Sequence, residues 1–235
     1  MLYSELKNQA IAIANNELLT DWSKNSPKYS HEYYSLMINN LKHWLAPTAN
    51  RLSDGLKLLE AIADKNEVLG EIIHAFEHNI EDEKGTCKEN AHAFLFNKSA
   101  KTYSNVVYGK EITFSKGLPN TMNLKIDAEN LFKGDVCVML GASLAQEIHA
   151  LPQLELLYQG KRNLKDRFSD KDWQDVAYFY EIHLDGTEAR HAEDLNRTIW
   201  DFIDSDEKRA KFQQGFNGLL SQLDLFWKGI AKEIQ

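Results

Sequence analysis

Residues 176–199 read VAYFYEIHLDGTEARHAEDLNRTI, and where their polar side chains fall decides the fold. Val176, Tyr180 and His183 share one side of a helix with 3.6 residues per turn. Glu188, His191, Leu195, Ile199 and Phe202 continue an apolar stripe at spacings of 3, 4, 4 and 3. Two histidines and a glutamate therefore stand where leucines are expected. An unpartnered buried charge costs on the order of several kcal/mol, and the usual resolutions are pairing or a metal ion. His183 and His191 are eight residues apart, where strict 3-4 spacing gives seven, and Gly186 lies between them. The expectation is one long helix, Trp173–Phe202, with a one-residue π-type bulge near Gly186.

Nearly all of the remaining chain also has helical period. Helices are expected over Leu2–Trp22, His31–Leu45, Ala49–Ala63, Asn66–Lys84, Lys88–Lys98, Val136–Tyr158 and Glu207–Ile234. Residues 99–122 are less regular, and VVYGKEITF within them is read as loop and helix pieces because an isolated strand pair is not stable. No alternation of strands and helices appears, which argues against a parallel sheet. The fold class is all-α: a multi-helical bundle, with residues 1–235 forming a single domain.

The bulk numbers exclude several functions. The 235 residues are 43% apolar and carry a net charge of −8, without a Lys/Arg-rich block, so no nucleic-acid partner is expected. No apolar run approaches membrane-spanning length, so no membrane role is expected either. The first residues, MLYSELKNQAIAIANNELL, read as an ordinary helix and not as a secretion signal. Cys87 and Cys137 match neither a zinc spacing nor a disulfide framework and are read as free thiols of a cytoplasmic protein.

Helical phase selects further inward-facing acids. Leu69, Ile73, Phe76 and Ile80 form a stripe whose next member is Glu83, while Glu71, His74 and His78 fall on the opposite, solvated face. Leu140, Leu144, Leu151 and Leu154 form another, in which Glu147 fills the gap and His149 points away to the surface. His92 precedes Leu95 and Phe96 and lies on a partly buried face. His31 and His43 carry no functional signal. Three carboxylates, Glu83, Glu147 and Glu188, thus accompany three imidazoles, His92, His183 and His191. Helical bundles build dinuclear metal sites from such sets. Clustered carboxylates raise one another's pKa, and two divalent cations remove that repulsion. Imidazole with carboxylate and no thiolate suits iron or manganese, with zinc also allowed by ligand type. A buried salt-bridge network through Arg190 or Arg197 is the alternative.

Three segments carry a family resemblance: NIEDEKGTCKENAH (79–92), QEIHALP (146–152) and DVAYFYEIHLDGTEARHAED (175–194). They resemble, in order and helix context, segments of the heme-oxygenase-like diiron proteins, in particular the CADD group (Chlamydia protein associating with death domains). Similarity also touches WSK (22–24) and Tyr33-Tyr34. The resemblance implies the bundle shared with TenA and PqqC. It implies metal ligands at Glu83, His92, Glu147, His183, Glu188 and His191, two iron ions (manganese as alternative), and O₂ as co-substrate. The chain departs from the group where an aspartate is replaced by Glu188, with one extra residue before it. The group's reactive tyrosine and assisting lysine, which make para-aminobenzoate from the protein's own chain, align with Leu19 and Tyr158, so that chemistry is not expected here. Tyr29, Tyr33 and Tyr34 are the nearby candidates for a substitute.

The functional expectation is a non-heme diiron oxidoreductase that activates O₂ to oxidise a small organic substrate. Its rivals are a metal-free enzyme of the PqqC or TenA type and a helical protein-interaction module. A heme oxygenase fits poorly, because the first 30 residues contain no histidine. The fold is compatible with a homodimer.

Overall fold

The element around which the others pack is apolar on every side. In VCVMLGASLAQEIHALPQLELLYQGKR, each residue from Cys137 to His149 is buried. A helix that is hydrophobic all round belongs in the middle of a bundle and not on its surface. The computed structural model describes residues 3–64, 68–87 and 91–234. Among them are eleven α-helices and no strand. These are α1 (Tyr3–Ala14), α2 (Glu17–Asn25), α3 (His31–Leu45), α4 (Thr48–Ala63), α5 (Leu69–Lys84), α6 (His92–Tyr108), α7 (Pro119–Phe132), α8 (Val136–Arg162), α9 (Asp170–Leu184), α10 (Thr187–Thr198) and α11 (Asp206–Ile234). Among the described residues, no helix is long and apolar enough to cross a membrane.

The central helix α8 starts at Asp135, whose carboxylate accepts from the amides of Cys137 (2.8 Å) and Val138 (3.4 Å). It continues through Pro152 to Arg162. Its main partner is α11, the longest helix, which lays Phe212, Phe216, Leu219, Leu223, Phe226 and Ile230 into the core. The two backbones touch where Gly141 faces Phe212 and Gly215 faces Val138, and a methyl group at either glycine would strike the opposite carbonyl. On another side, Trp22 of α2 donates its indole N–H to the carbonyl of Leu157 at 3.0 Å.

Several boundaries differ from the sequence expectation. The first expected helix is two, because Asn16 caps α2 by accepting from the amide of Leu19. The helix α6 runs on to Tyr108 and stops at Gly109, with φ of 64°. The pieces expected between 99 and 122 resolve into the end of α6, an irregular stretch, and the start of α7. The expected starts at Asn66 and Lys88 lie outside the described residues. The largest difference is at Gly186. There is no π bulge: α9 ends at Leu184, α10 begins at Thr187, and Gly186 takes φ of 110°. Asp185 holds this turn by accepting from the Thr187 amide (3.1 Å) and hydroxyl (2.8 Å).

Lys161, near the end of α8, is buried without a carboxylate partner among the described residues. Its ammonium nitrogen lies 3.0 Å from the Tyr34 hydroxyl and 4.3 Å from the centroid of the Tyr103 ring. The hydroxyls of Tyr103 and Tyr180 are buried without hydrogen-bond partners. Burial drives the Lys161 amine well below its ordinary pKa. Between that lowered value and 10.5, the unfolded chain holds a proton that the folded chain lacks, so stability rises with pH across this window. Urea unfolding at pH 7, 8 and 9 should therefore show a slope in the wild type, up to about 1.4 kcal/mol per pH unit from this group. Lys161→Met should flatten it. Equal slopes in the two proteins would mean that Lys161 stays charged.

Candidate metal centre

Five helices deliver the six inward-facing residues, and four of those helices do so at their ends. Glu83 is in the last turn of α5, His92 opens α6, and His183 is in the last turn of α9. Glu188 and His191 come from the first turns of α10, and only Glu147 stands in mid-helix, on α8. The sharp turn at Asp185-Gly186 folds α10 back so that His183 Nε2 lies 3.7 Å from Glu188 Oε1. A continuous helix would separate residues five apart by roughly 140° around its axis. The sequence therefore foretold the meeting of His183 and Glu188 but gave the wrong device for it.

The donors fall into two adjoining groups. Ligand atoms of Glu83, His92 and His183 lie within 4.8 Å of one another, as do those of Glu147, Glu188 and His191. Each group can hold a metal ion. Glu83 Oε1 is 3.4 Å from His92 Nδ1, and His191 Nδ1 is 3.7 Å from Glu147 Oε2. The rings of His92 and His183 sit 4.2 Å apart, centroid to centroid. Glu188, through its contact with His183, connects the two groups.

Hydrogen bonds fix which nitrogen of each imidazole faces inward. His183 donates Nδ1–H to the carbonyl of Phe179 one turn back, leaving the Nε2 lone pair toward Glu188. His191 donates Nε2–H to Asp82 Oδ2 at 3.0 Å, leaving Nδ1 toward Glu147. Such a carboxylate behind an imidazole is the usual support of a metal-binding histidine. Glu147 is oriented from the other side. Gln146 donates its amide to Glu147 Oε1 at 3.1 Å. That amide is itself fixed by buried Arg51, which donates to Gln146 Oε1 from Nε (3.2 Å) and Nη2 (3.0 Å).

The electrostatics do not close without a cation. Burial, then the charges of Glu147, Glu83 and Asp82, push the Glu188 carboxyl well above the ordinary range. Burial also raises Glu147, against the pull of His191. Glu83 goes the other way: burial opposes its ionisation, but the imidazoles of His92, His183 and His191 prevail. His183 is pushed down to about 4, by burial first and then by His92. His92 Nδ1 is buried with no hydrogen-bond partner, and no hydrogen bond reaches Glu188 from the described residues. The salt-bridge alternative fails for both arginines: Arg190 donates to Thr187 and Arg197 pairs with exposed Asp194. Three acids, the lone pairs of His183 and His191 and the orphaned ring nitrogen of His92, facing one another, fit a pair of cations, and among the described residues no lysine or arginine pairs with these acids.

Two residues were misjudged or missed in the sequence. His149 is buried, not at the surface, and burial lowers its pKa to about 3. It lines a small cavity together with Glu83, Glu147, His183 and Glu188, and its Nε2 has no hydrogen-bond partner. Asp82 was not singled out at all. His78 is exposed as expected, as are Glu71 and His74, yet its Nδ1 reaches to 3.7 Å from Asp82. His43 donates Nε2–H to the Ser115 carbonyl (2.7 Å), and both cysteines are free, Cys87 exposed and Cys137 buried.

A bundle of this helix order with an inward carboxylate–imidazole cluster defines the class: an all-α, heme-oxygenase-like protein. Residues 50–233 match the family described as "Domain of Unknown Function with solved-structure structure (DUF3865)", and the chain belongs to that family. Similar solved structures include a CADD-like protein of unknown function from Nostoc punctiforme PCC 73102. It has a TM-score of 0.73 at 19% identity, over 98% of this chain and 97% of that one. A domain of unknown function with a heme oxygenase-like fold from Shewanella denitrificans OS217 gives 0.69 at 15% identity, over 98% and 90%. A TenA homolog from Pseudomonas syringae pv. tomato str. DC3000 gives 0.75 at 14% identity, over 97% and 92%. No curated protein matches the sequence. At these identities the likeness is one of fold.

Gly186→Ala tests the turn that brings His183 to Glu188. A side chain at φ of 110° is strained, so the variant should lose about 1–2 kcal/mol of stability in urea unfolding. A variant as stable as the wild type would show that the chain does not need this conformation.

Proposed function

We propose that the protein is a non-heme dinuclear metal oxidoreductase, with iron as the first choice and manganese as the second. The observation that carries this reading is the pairing of two donor groups, Glu83/His92/His183 and Glu147/Glu188/His191, buried except for the partly exposed Glu83, with no lysine or arginine paired with their acids among the described residues. The donor chemistry, imidazole and carboxylate without thiolate, suits these metals. When bound, such a pair supplies the redox chemistry by which O₂ oxidises an organic substrate.

The chain's own residues have definite tasks in this reading. Glu83, His92 and His183 hold one ion, and Glu147, Glu188 and His191 hold the other. Glu188 is the residue within reach of both groups. The Phe179 carbonyl and Asp82 keep His183 and His191 in the tautomers that point lone pairs inward. Gln146, itself fixed by Arg51, donates to one Glu147 oxygen, and His191 Nδ1 faces the other at 3.7 Å. Phe179, 4.4 Å from the His183 ring, shields that side from water. The raised pKa of Glu188 means that cations displace a proton on entering, so uptake strengthens with pH.

Metal analysis after anaerobic reconstitution with Fe(II) or Mn(II) tests the reading. Two ions per chain are expected, together with metal-dependent O₂ consumption once a substrate is supplied. Retention of well under one ion per chain would overturn it and favour metal-free acid–base chemistry in a TenA-like bundle. In a competition against a chromophoric chelator, Asp82→Asn should weaken metal binding by about 10–100-fold. Unchanged affinity would remove Asp82 from the site's support.

A further inference from the structure

A cavity of about 300 Å³ opens between α1, α8 and α10 and reaches Glu147 and Glu188. This volume is at the small end of those that take organic ligands. The three helices line it with regular stripes. On α1 the residues recur every fourth position, Tyr3, Lys7 and Ile11, and Asn15 just past its end continues the row. The walls are mainly apolar, from Ile11, Ile148, Leu151, Leu156, Ala189 and Ala192.

Apart from exposed Asn15, the polar lining residues fall into two sets. The inner end is the pair of buried carboxylates, Glu147 and Glu188. The rim carries Lys7, Glu155 and Glu193, all exposed, with half-buried Tyr3 beside Glu193. Lys7 has no ion pair among the described residues. Glu155 is eight residues along α8 from Glu147, about 12 Å at 1.5 Å per residue. Glu193 is five residues along α10 from Glu188, about 7.5 Å. An apolar tube of roughly this length therefore separates the acid pair from a rim with one positive and two negative groups.

From this arrangement we propose that the cavity binds a free α-amino acid with an aromatic or long aliphatic side chain. Its carboxylate is held by Lys7, its ammonium by Glu155 and Glu193, and its side chain points down the apolar tube toward Glu147 and Glu188. A simple carboxylic acid would meet two like charges at the rim. A simple amine would meet Lys7. Only a zwitterion matches both signs, and the apolar walls reject a polar side chain. Exposed ion pairs are individually weak, so the advantage over either single-charge analogue should be about tenfold and not more. The inference rests on the dinuclear reading for the reaction that follows, but the binding itself does not need the metal.

The test is calorimetric or NMR titration of the full chain, metal-free and Fe(II)-loaded, with L-phenylalanine, L-tryptophan and L-leucine. The controls are 3-phenylpropionate, which lacks the ammonium, and 2-phenylethylamine, which lacks the carboxylate. At least one amino acid should bind, and L-phenylalanine should exceed both controls about tenfold. Lys7→Glu should erase its advantage over 2-phenylethylamine. Ala189→Phe, which fills the tube, should abolish binding, and Leu156→Trp serves the same purpose if circular dichroism shows the first variant unfolded. No binding by any of the three amino acids, equal binding of a control, or indifference to both tube-filling variants would overturn the proposal. If an amino acid binds but metal does not, the dinuclear reading fails and this one stands. If metal binds but no amino acid does, only this one fails.

Discussion

The constraint on which the rest of the structure depends is the burial of carboxylates beside one another with no lysine or arginine paired with them among the described residues. Glu147 and Glu188 are buried, and burial raises the pKa of both, with Glu83 adding to the rise in Glu147 and Glu147 and Glu83 adding to that in Glu188. Buried Arg51 makes no ion pair with them; its guanidinium donates to Gln146, the Trp44 carbonyl and the Thr48 hydroxyl. An acid cluster of this kind destabilises an otherwise well-packed bundle, because desolvation and like-charge repulsion act in the same direction. The surrounding chain has been arranged to keep it: Asp82 behind His191, the Phe179 carbonyl behind His183, and the Arg51–Gln146 pair behind Glu147.

The irregular parts of the fold serve the same end. Four of the five contributing helices present their donors near a terminus, where backbone direction can change. The turn at Asp185-Gly186 makes this concrete. A regular helix would have been the more stable choice locally, yet it would carry Glu188 away from His183. By contrast α8, which contributes one donor from its middle, is rigid and packed on all sides, with its glycines pressed against α11. A fixed central helix and mobile-in-principle helix ends are a sensible division of labour for a site that must be both held and open to a cavity.

Much of this was legible in the sequence, for identifiable reasons. The bounds of α3 at His31 and Leu45 follow from the Ser30 cap and the proline at 47. The inward turn of Glu83 and Glu147 followed from phase, because each sits in a stripe of leucines, isoleucines and phenylalanine. Phase failed where its assumptions failed. His149 lies off the leucine stripe, but α8 has no solvated face, so being off the stripe did not mean being exposed. A one-residue slip between His183 and His191 is met equally well by a bulge or a break. The Asp-Gly pair was the available signal for a break, since Asp caps and Gly takes positive φ. Asp82 could not be found from phase at all: its importance comes from the contact between α5 and α10, which is long-range. The helix α7 escaped because its apolar residues lack a clear stripe in TMNLKIDAENLF.

The central claim is that the two donor groups hold two ions side by side. It is tested most directly by crystals of iron-reconstituted protein measured on both sides of the iron absorption edge. The account predicts two anomalous peaks, about 3.5–4 Å apart, one among Glu83, His92 and His183 and the other among Glu147, Glu188 and His191. A single peak, peaks confined to the exposed His78–Asp82 rim, or none at all would contradict it.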